Sequence, residues 1–194
     1  MWECIKLWLA RRRLRHWKQQ LSYCNSDVGN RHSEKQQMLR PLIEADEAEV
    51  LRAFGVNVFG PLACARAFAK WAIARGRRGA FVNVSSIAAV RPAPGLGLYS
   101  ASKAALDSLT RSMALEWTRA GLRVNAVAPG HVNTEGVLAD FRAGRLDEAR
   151  LTRTIPAGRI ADVDDVAEAV LFLASDRARH IVGHVLTVDG GEGF

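Results

Sequence analysis

A tyrosine and a lysine four residues apart, Tyr99 and Lys103 in the run YSASK, are the side chains in this sequence best suited to moving a proton. A helix starting near Ser100 sets the phenol and the ammonium on one face, because four residues is little more than one turn. An unperturbed phenol titrates near about 10, and a fixed neighbouring cation favours the phenolate. The pair is therefore expected to offer an acid or base nearer neutral pH. Thirteen residues before the tyrosine stands Ser86, at the end of the run AFVNVSS from Ala80. Its β-branched and apolar residues read as a buried strand, and a hydroxyl at the end of that strand can reach the same reacting oxygen.

The elements that must hold these groups follow from the patterning. Asp46, Glu47 and Glu49 load the start of a helix expected to run to about Arg75, with Val50, Phe54, Val58, Leu62 and Ala65 as its core stripe and an interruption at Gly60 and Pro61. A turn from Gly76 to Gly79 leads into the first strand. The loop Ile87 to Leu98 carries two prolines and two glycines and suits the lining of a cleft. After YSASK the helix continues through Leu106, Leu109, Met113, Ala114 and Trp117 to a stop at Gly121. Arg123 to Ala128 (RVNAVA) reads as a second buried strand ending at Pro129-Gly130, and His184 to Val188 (HVLTV) as a third, turning at Asp189-Gly190-Gly191. Asp162, with Asp165 three residues on, is an acidic capping box for a helix over Val163 to Ser175. Helical crossovers of this length predict three parallel strands in sequence order. His131 is set aside as an acid or base because a histidine without a partner is usually structural or solvated.

Composition bounds the rest. The 194 residues, 48% hydrophobic and 24% charged, allow one domain with a sizeable core. Of the net charge of +7, residues 1–40 contribute nine Lys/Arg against three Asp/Glu, leaving 18 against 17 elsewhere. This basic head contains Trp2, Ile5, Leu9 and Trp17 among its cations. It reads either as a basic amphipathic helix for lipid or nucleic acid, or as a leader that is no part of the fold; the second is preferred, with no nucleic-acid or membrane partner expected. Cys4, Cys24 and Cys64 are odd in number and lack C-x-x-C spacing, so reduced thiols in a cytoplasmic protein are expected, with no disulfide framework and no zinc site.

FVNVSS, YSASKAAL, RVNAVAPGHVNT and GHVLTVDGG follow one another in an order and spacing that resembles the classical short-chain dehydrogenase/reductases over about residues 44–194. The resemblance implies an α/β fold, the C-terminal portion of a Rossmann-like doubly wound parallel sheet, as one domain over 41–194 behind an irregular or helical head over 1–40. It implies NAD(P)-dependent hydride transfer between a carbonyl and a secondary alcohol. By that resemblance Tyr99 is the acid/base, Lys103 its electrostatic partner, Ser86 rather than Ser85 the holder of the substrate oxygen, and Asn57 a member of the proton relay. Tyr99, Lys103, Pro129, Gly130, Val132 and Thr134 would contact NAD or NADP, the last two at the nicotinamide carboxamide, although Asn133 and Thr134 also fit plain turn positions. A substrate lid over 135–160 and a homo-oligomer built on the two long helices are implied as well.

One part of the family pattern is not legible. The first 55 residues hold only Gly29 and Gly55, with no T-G-x-x-x-G-x-G turn to meet a pyrophosphate. Weak or absent binding of the dinucleotide by this chain is therefore expected. The alternative function is a catalytically inactive truncated remnant or a dimerising interaction module.

Overall fold

The computed structural model describes residues 41–193, so the expectations for the basic head fall outside the described residues. Three strands, β1 (Gly79–Val84), β2 (Leu122–Pro129) and β3 (Val185–Val188), form one parallel sheet in the order β1-β2-β3. The register sets Gly79 opposite Leu122 and Val84 opposite Val127, then Ala126 opposite Val185 and Pro129 opposite Val188. Central β2 has Val124, Ala126 and Val127 fully buried, as a strand covered on both faces requires. Its one polar interior residue, Asn125, is satisfied: Nδ2 donates to the Ile181 carbonyl and Oδ1 accepts from the His184 N–H, both at 2.9 Å. That pair ties the approach to β3 onto β2.

One face of the sheet is covered by a long helix in three parts: α1 (Glu47–Phe54), a π turn (Gly55–Phe59) and α2 (Gly60–Ile73). Asp46 and Glu49 close a capping box at its start, with N–H to carboxylate distances of 2.8 and 3.1 Å. The helix ends at Ile73, close to the expected Arg75, and the interruption expected at Gly60 and Pro61 takes the form of the π turn that ends at Phe59, immediately before them. A proline inside a helix lacks the N–H for the carbonyl four residues back and crowds it. The π turn, closed by the Gly60 N–H on the Gly55 carbonyl, shifts the ladder by one residue at that point. By length and composition Glu47–Ile73 is long enough to cross a membrane. Yet Ala65 lies in a core cluster with Met113, Ala114 and Val124, and Ala69 and Ala72 pack with Leu122, so its small-residue stripe is the seam to the domain core.

Beside it lies α3 (Gly97–Trp117), which ends in a 3-10 turn and Gly121 at φ +83°, a left-handed position glycine adopts without penalty. Two short helices, α4 (Glu135–Arg142) and α5 (Glu148–Thr154), occupy the stretch expected to form a lid. The last helix, α6 (Val163–Ala174), contributes Val166 and Leu173 to a second core cluster with Val127 and Val132. Among the described residues, β1 has a neighbouring strand on one side only.

Candidate active site

All the groups singled out for chemistry gather at the C-terminal ends of the strands. Helix α3 starts at Gly97, three residues before the predicted start, so Tyr99 already stands in its first turn and Lys103 one turn on. The Lys103 ammonium donates to the carbonyl of Val84, the last residue of β1, at 2.9 Å, and lies 5.6 Å from the centroid of the Tyr99 ring. Ser86, two residues past that strand end, accepts from the Ala88 N–H at 3.2 Å, which caps the 3-10 turn Ile87–Ala89, and its hydroxyl hydrogen-bonds the Tyr99 phenol. Ser85 faces the other way. Its hydroxyl is buried between the Lys103 carbonyl, 3.5 Å distant, and the Asp107 carboxylate.

The electrostatics reverse one expectation. Burial is the largest influence on the Tyr99 phenol and holds its pKa above 10, and the Ser86 hydrogen bond acts the other way without overcoming it. A phenolate stripped of water is costly, and the ammonium 5.6 Å from the ring centroid does not outweigh that cost. Behind Lys103, sequence reasoning missed Asp107, whose only signal was a carboxylate one helical turn past the lysine. Asp107 is 4% exposed and its Oδ1 has no hydrogen-bond partner. Burial raises its pKa, opposed by the Ser85 hydroxyl, Arg111 and Lys103.

Asn57 sits in the π turn, and its Nδ2 donates to Ser102 Oγ at 3.0 Å, while Ser102 donates to the Tyr99 carbonyl at 2.7 Å. The side chain thus joins the two helices between Tyr99 and Lys103.

The turn after β2 carries the remaining candidates. Pro129 ends the strand, and the Gly130 N–H donates to the Val188 carbonyl at 3.1 Å. Val132 bridges to Ala161, and its N–H makes no hydrogen bond among the described residues. Thr134 caps α4 by accepting from the Val137 N–H at 3.4 Å. His131 does have a partner, contrary to expectation. Its Nδ1 lies 2.6 Å from Glu192 Oε1, and its backbone N–H donates to Glu192 Oε2 at 3.0 Å. Nothing local to either residue signals this pairing, which spans 61 positions.

Residues 16–192 match the family described as enoyl-(acyl carrier protein) reductase. The chain is 41% identical over 155 residues to galactitol 2-dehydrogenase (L-tagatose-forming) of Cereibacter sphaeroides, covering 79% of this chain and 60% of that one. It is 40% identical over 172 residues to 4-formylbenzenesulfonate dehydrogenase of Comamonas testosteroni, covering 86% and 64%. Its structure resembles that of a gluconate 5-dehydrogenase from Burkholderia cenocepacia J2315 in complex with NADP and tartrate, with a TM-score of 0.73, 33% identity and coverage of 79% and 59%. The chain belongs to the short-chain dehydrogenase/reductases. It spans about three fifths of the length of these relatives. The family match begins at residue 16, well ahead of the motifs quoted above and inside the segment set apart as a head.

Short-chain dehydrogenase/reductases are oxidoreductases that work with a nicotinamide cofactor, and the turn after β2 carries two groups able to donate a hydrogen bond. The Val132 N–H is unengaged, and Thr134 Oγ1, which accepts from Val137, still has its own hydrogen to donate. Among the described residues no cluster of His, Cys, Asp or Glu forms a metal site.

Proposed function

We propose that this short-chain dehydrogenase/reductase chain carries the reacting half of an NAD(P)-dependent site that interconverts a carbonyl and a secondary alcohol. The observation that carries the reading is the convergence of Ser86, Tyr99 and Lys103, from the end of β1 and the first two turns of α3, on one point. When bound, the nicotinamide supplies or accepts the hydride at the substrate carbon. Ser86 donates a hydrogen bond to the substrate oxygen, and Tyr99 moves the proton at that oxygen. In reduction Tyr99 gives its proton to the substrate oxygen, and burial favours the protonated phenol that this step starts from. Lys103 braces β1 through the Val84 carbonyl and places a positive charge beside the ring. Asn57, joined through Ser102 to the helix of Tyr99, takes the relay position that holds a water to resupply the proton. Val132 and Thr134 hold the carboxamide. The substrate is a small carbonyl compound or alcohol, and the apolar exposure of Phe59, Ile73 and Leu115 on α1–α3 supports a homo-oligomer through those helices.

The test is Tyr99→Phe, which removes the transferable proton and almost no volume. Turnover of a panel of ketones and secondary alcohols at saturating NAD(P)(H) should disappear while the circular dichroism spectrum and melting temperature stay near those of the parent. Turnover retained in the variant would remove Tyr99 from the role, and no turnover by the parent at any cofactor concentration would remove the function.

A further inference from the structure

We infer that His131, oriented by Glu192, is a specificity-determining residue of this site whose Nε2 meets a hydroxyl group of a polyhydroxylated substrate. The inference rests on the hydride-transfer reading and adds the substrate class to it. Glu192 is held by both of its oxygens on a single residue, Oε1 at 2.6 Å from His131 Nδ1 and Oε2 at 3.0 Å from the His131 N–H. A carboxylate has no hydrogen to give, so the hydrogen between them lies on Nδ1, and Nε2 is the ring nitrogen left for a ligand. The exposures are unequal: the Glu192 side chain is 11% exposed and the His131 side chain 40%. The carboxylate is the buried support and the ring is the presented group.

The surroundings are built for this pairing. A Cβ on residue 130 would lie 2.6 Å from Glu192 Oε2 and 2.9 Å from Asp189 Cβ, so Gly130 is what lets the carboxylate close over the backbone. The Asp189 carboxylate accepts from the N–H groups of Gly191 and Gly193, at 3.0 and 2.7 Å, and so fixes the turn that carries Glu192. Arg91, five residues beyond Ser86, donates to the Glu192 carbonyl and draws the loop leaving Ser86 to the same rim. His131 therefore shares the C-terminal rim of the sheet with Ser86 and Tyr99, where ligands of open α/β sheets bind. A ring nitrogen there matches a hydroxyl next to the reacting carbon, which can donate or accept, and has no counterpart in an aromatic aldehyde or a plain cycloalkanol. A site built to hydrogen-bond a substrate hydroxyl discriminates strongly against an analogue lacking it.

The experiment compares galactitol with cyclohexanol in the parent chain, His131→Phe and Glu192→Gln. For His131→Phe, kcat/KM for galactitol relative to cyclohexanol should fall by about ten- to a hundredfold, mostly through KM. Glu192→Gln, whose amide oxygen can still accept from Nδ1, should retain more of the preference. An unchanged ratio in His131→Phe would overturn the proposal. Nitrogen NMR of the labelled imidazole gives a readout that needs no turnover. The Nδ1–H tautomer should be present in the free chain, and galactitol but not cyclohexanol should shift the Nε2 resonance. If the parent turns over no member of the panel, the hydride-transfer reading fails on its own, and equal or absent shifts with the two alcohols would overturn the role of His131 whether or not turnover is seen.

Discussion

The Asn57 side-chain amide donates to Ser102 Oγ at 3.0 Å, binding the π turn of one helix to the second turn of another across 45 residues of sequence. Ser102 is fully buried and passes the bond on to the Tyr99 carbonyl. The contact therefore fixes the helix that presents both Tyr99 and Lys103.

Removing either end should cost about 1–2 kcal/mol, the usual penalty for leaving a buried polar partner unsatisfied, and lower the melting temperature by a few degrees. In a double-mutant cycle, Asn57→Ala and Ser102→Ala should be strongly non-additive, because the second substitution finds the bond already gone. Strict additivity of the two melting shifts would mean that the bond contributes nothing.

Burial raises the pKa of Tyr99, which sets two pH effects of known sign. The phenol should titrate above 10 in an absorbance titration of the parent minus Tyr99→Phe, so reduction should not fail from loss of the proton near neutrality. Stability should decline as the pH rises through about 10, where the unfolded tyrosine ionises and the folded one does not, and this component should be missing in Tyr99→Phe. A Tyr99 titration below 10 would show that the cation, not burial, governs the site.

Asp107 is a buried carboxylate with one unpartnered oxygen, and its pKa is raised from 3.8. Because the folded state holds the proton more tightly than the unfolded chain, this group lowers stability as the pH rises above 3.8. Asp107→Asn should accordingly raise the melting temperature at neutral pH by a few degrees, about 1 kcal/mol, with a gain that shrinks as the pH falls toward 4. A variant that melts lower at pH 7 would show that the charge is needed, through Lys103 or Arg111.

For the 194-residue chain as written, NADH and NADPH should bind weakly. The role proposed for Val132 and Thr134 reaches only the carboxamide, whereas much of a dinucleotide's affinity comes from a pyrophosphate resting on a glycine-rich turn at a helix N-terminus. Residues 1–55 hold only two glycines, Gly29 and Gly55. Calorimetry giving a dissociation constant in the micromolar range, where many enzymes saturate, would show that the segment before Asp46 makes such contacts in another way.

Much of the architecture was legible because it rests on local pattern. The largely apolar runs ending at Val84, Ala128 and Val188 marked buried parallel strands. The gaps between them left room for nothing but helical crossovers, and the order β1-β2-β3 followed from these. The spacing of Ser86, Tyr99 and Lys103 was enough to bring them together, since a strand end and one helical turn leave little freedom. The interruption at Gly60 and Pro61 was legible because proline cannot join a regular ladder, but that it takes the form of a π turn ahead of them was not. The partners of Asn57 and His131 were out of reach for a further reason: a hydrogen bond between residues 45 or 61 positions apart leaves no periodicity in the chain. The direction of the Tyr99 shift belongs to the same class. Residue types alone showed a phenol beside a cation and implied a lowered pKa. Desolvation, which depends on everything packed around the ring, could be decided only by the tertiary structure, and it acts in the opposite direction.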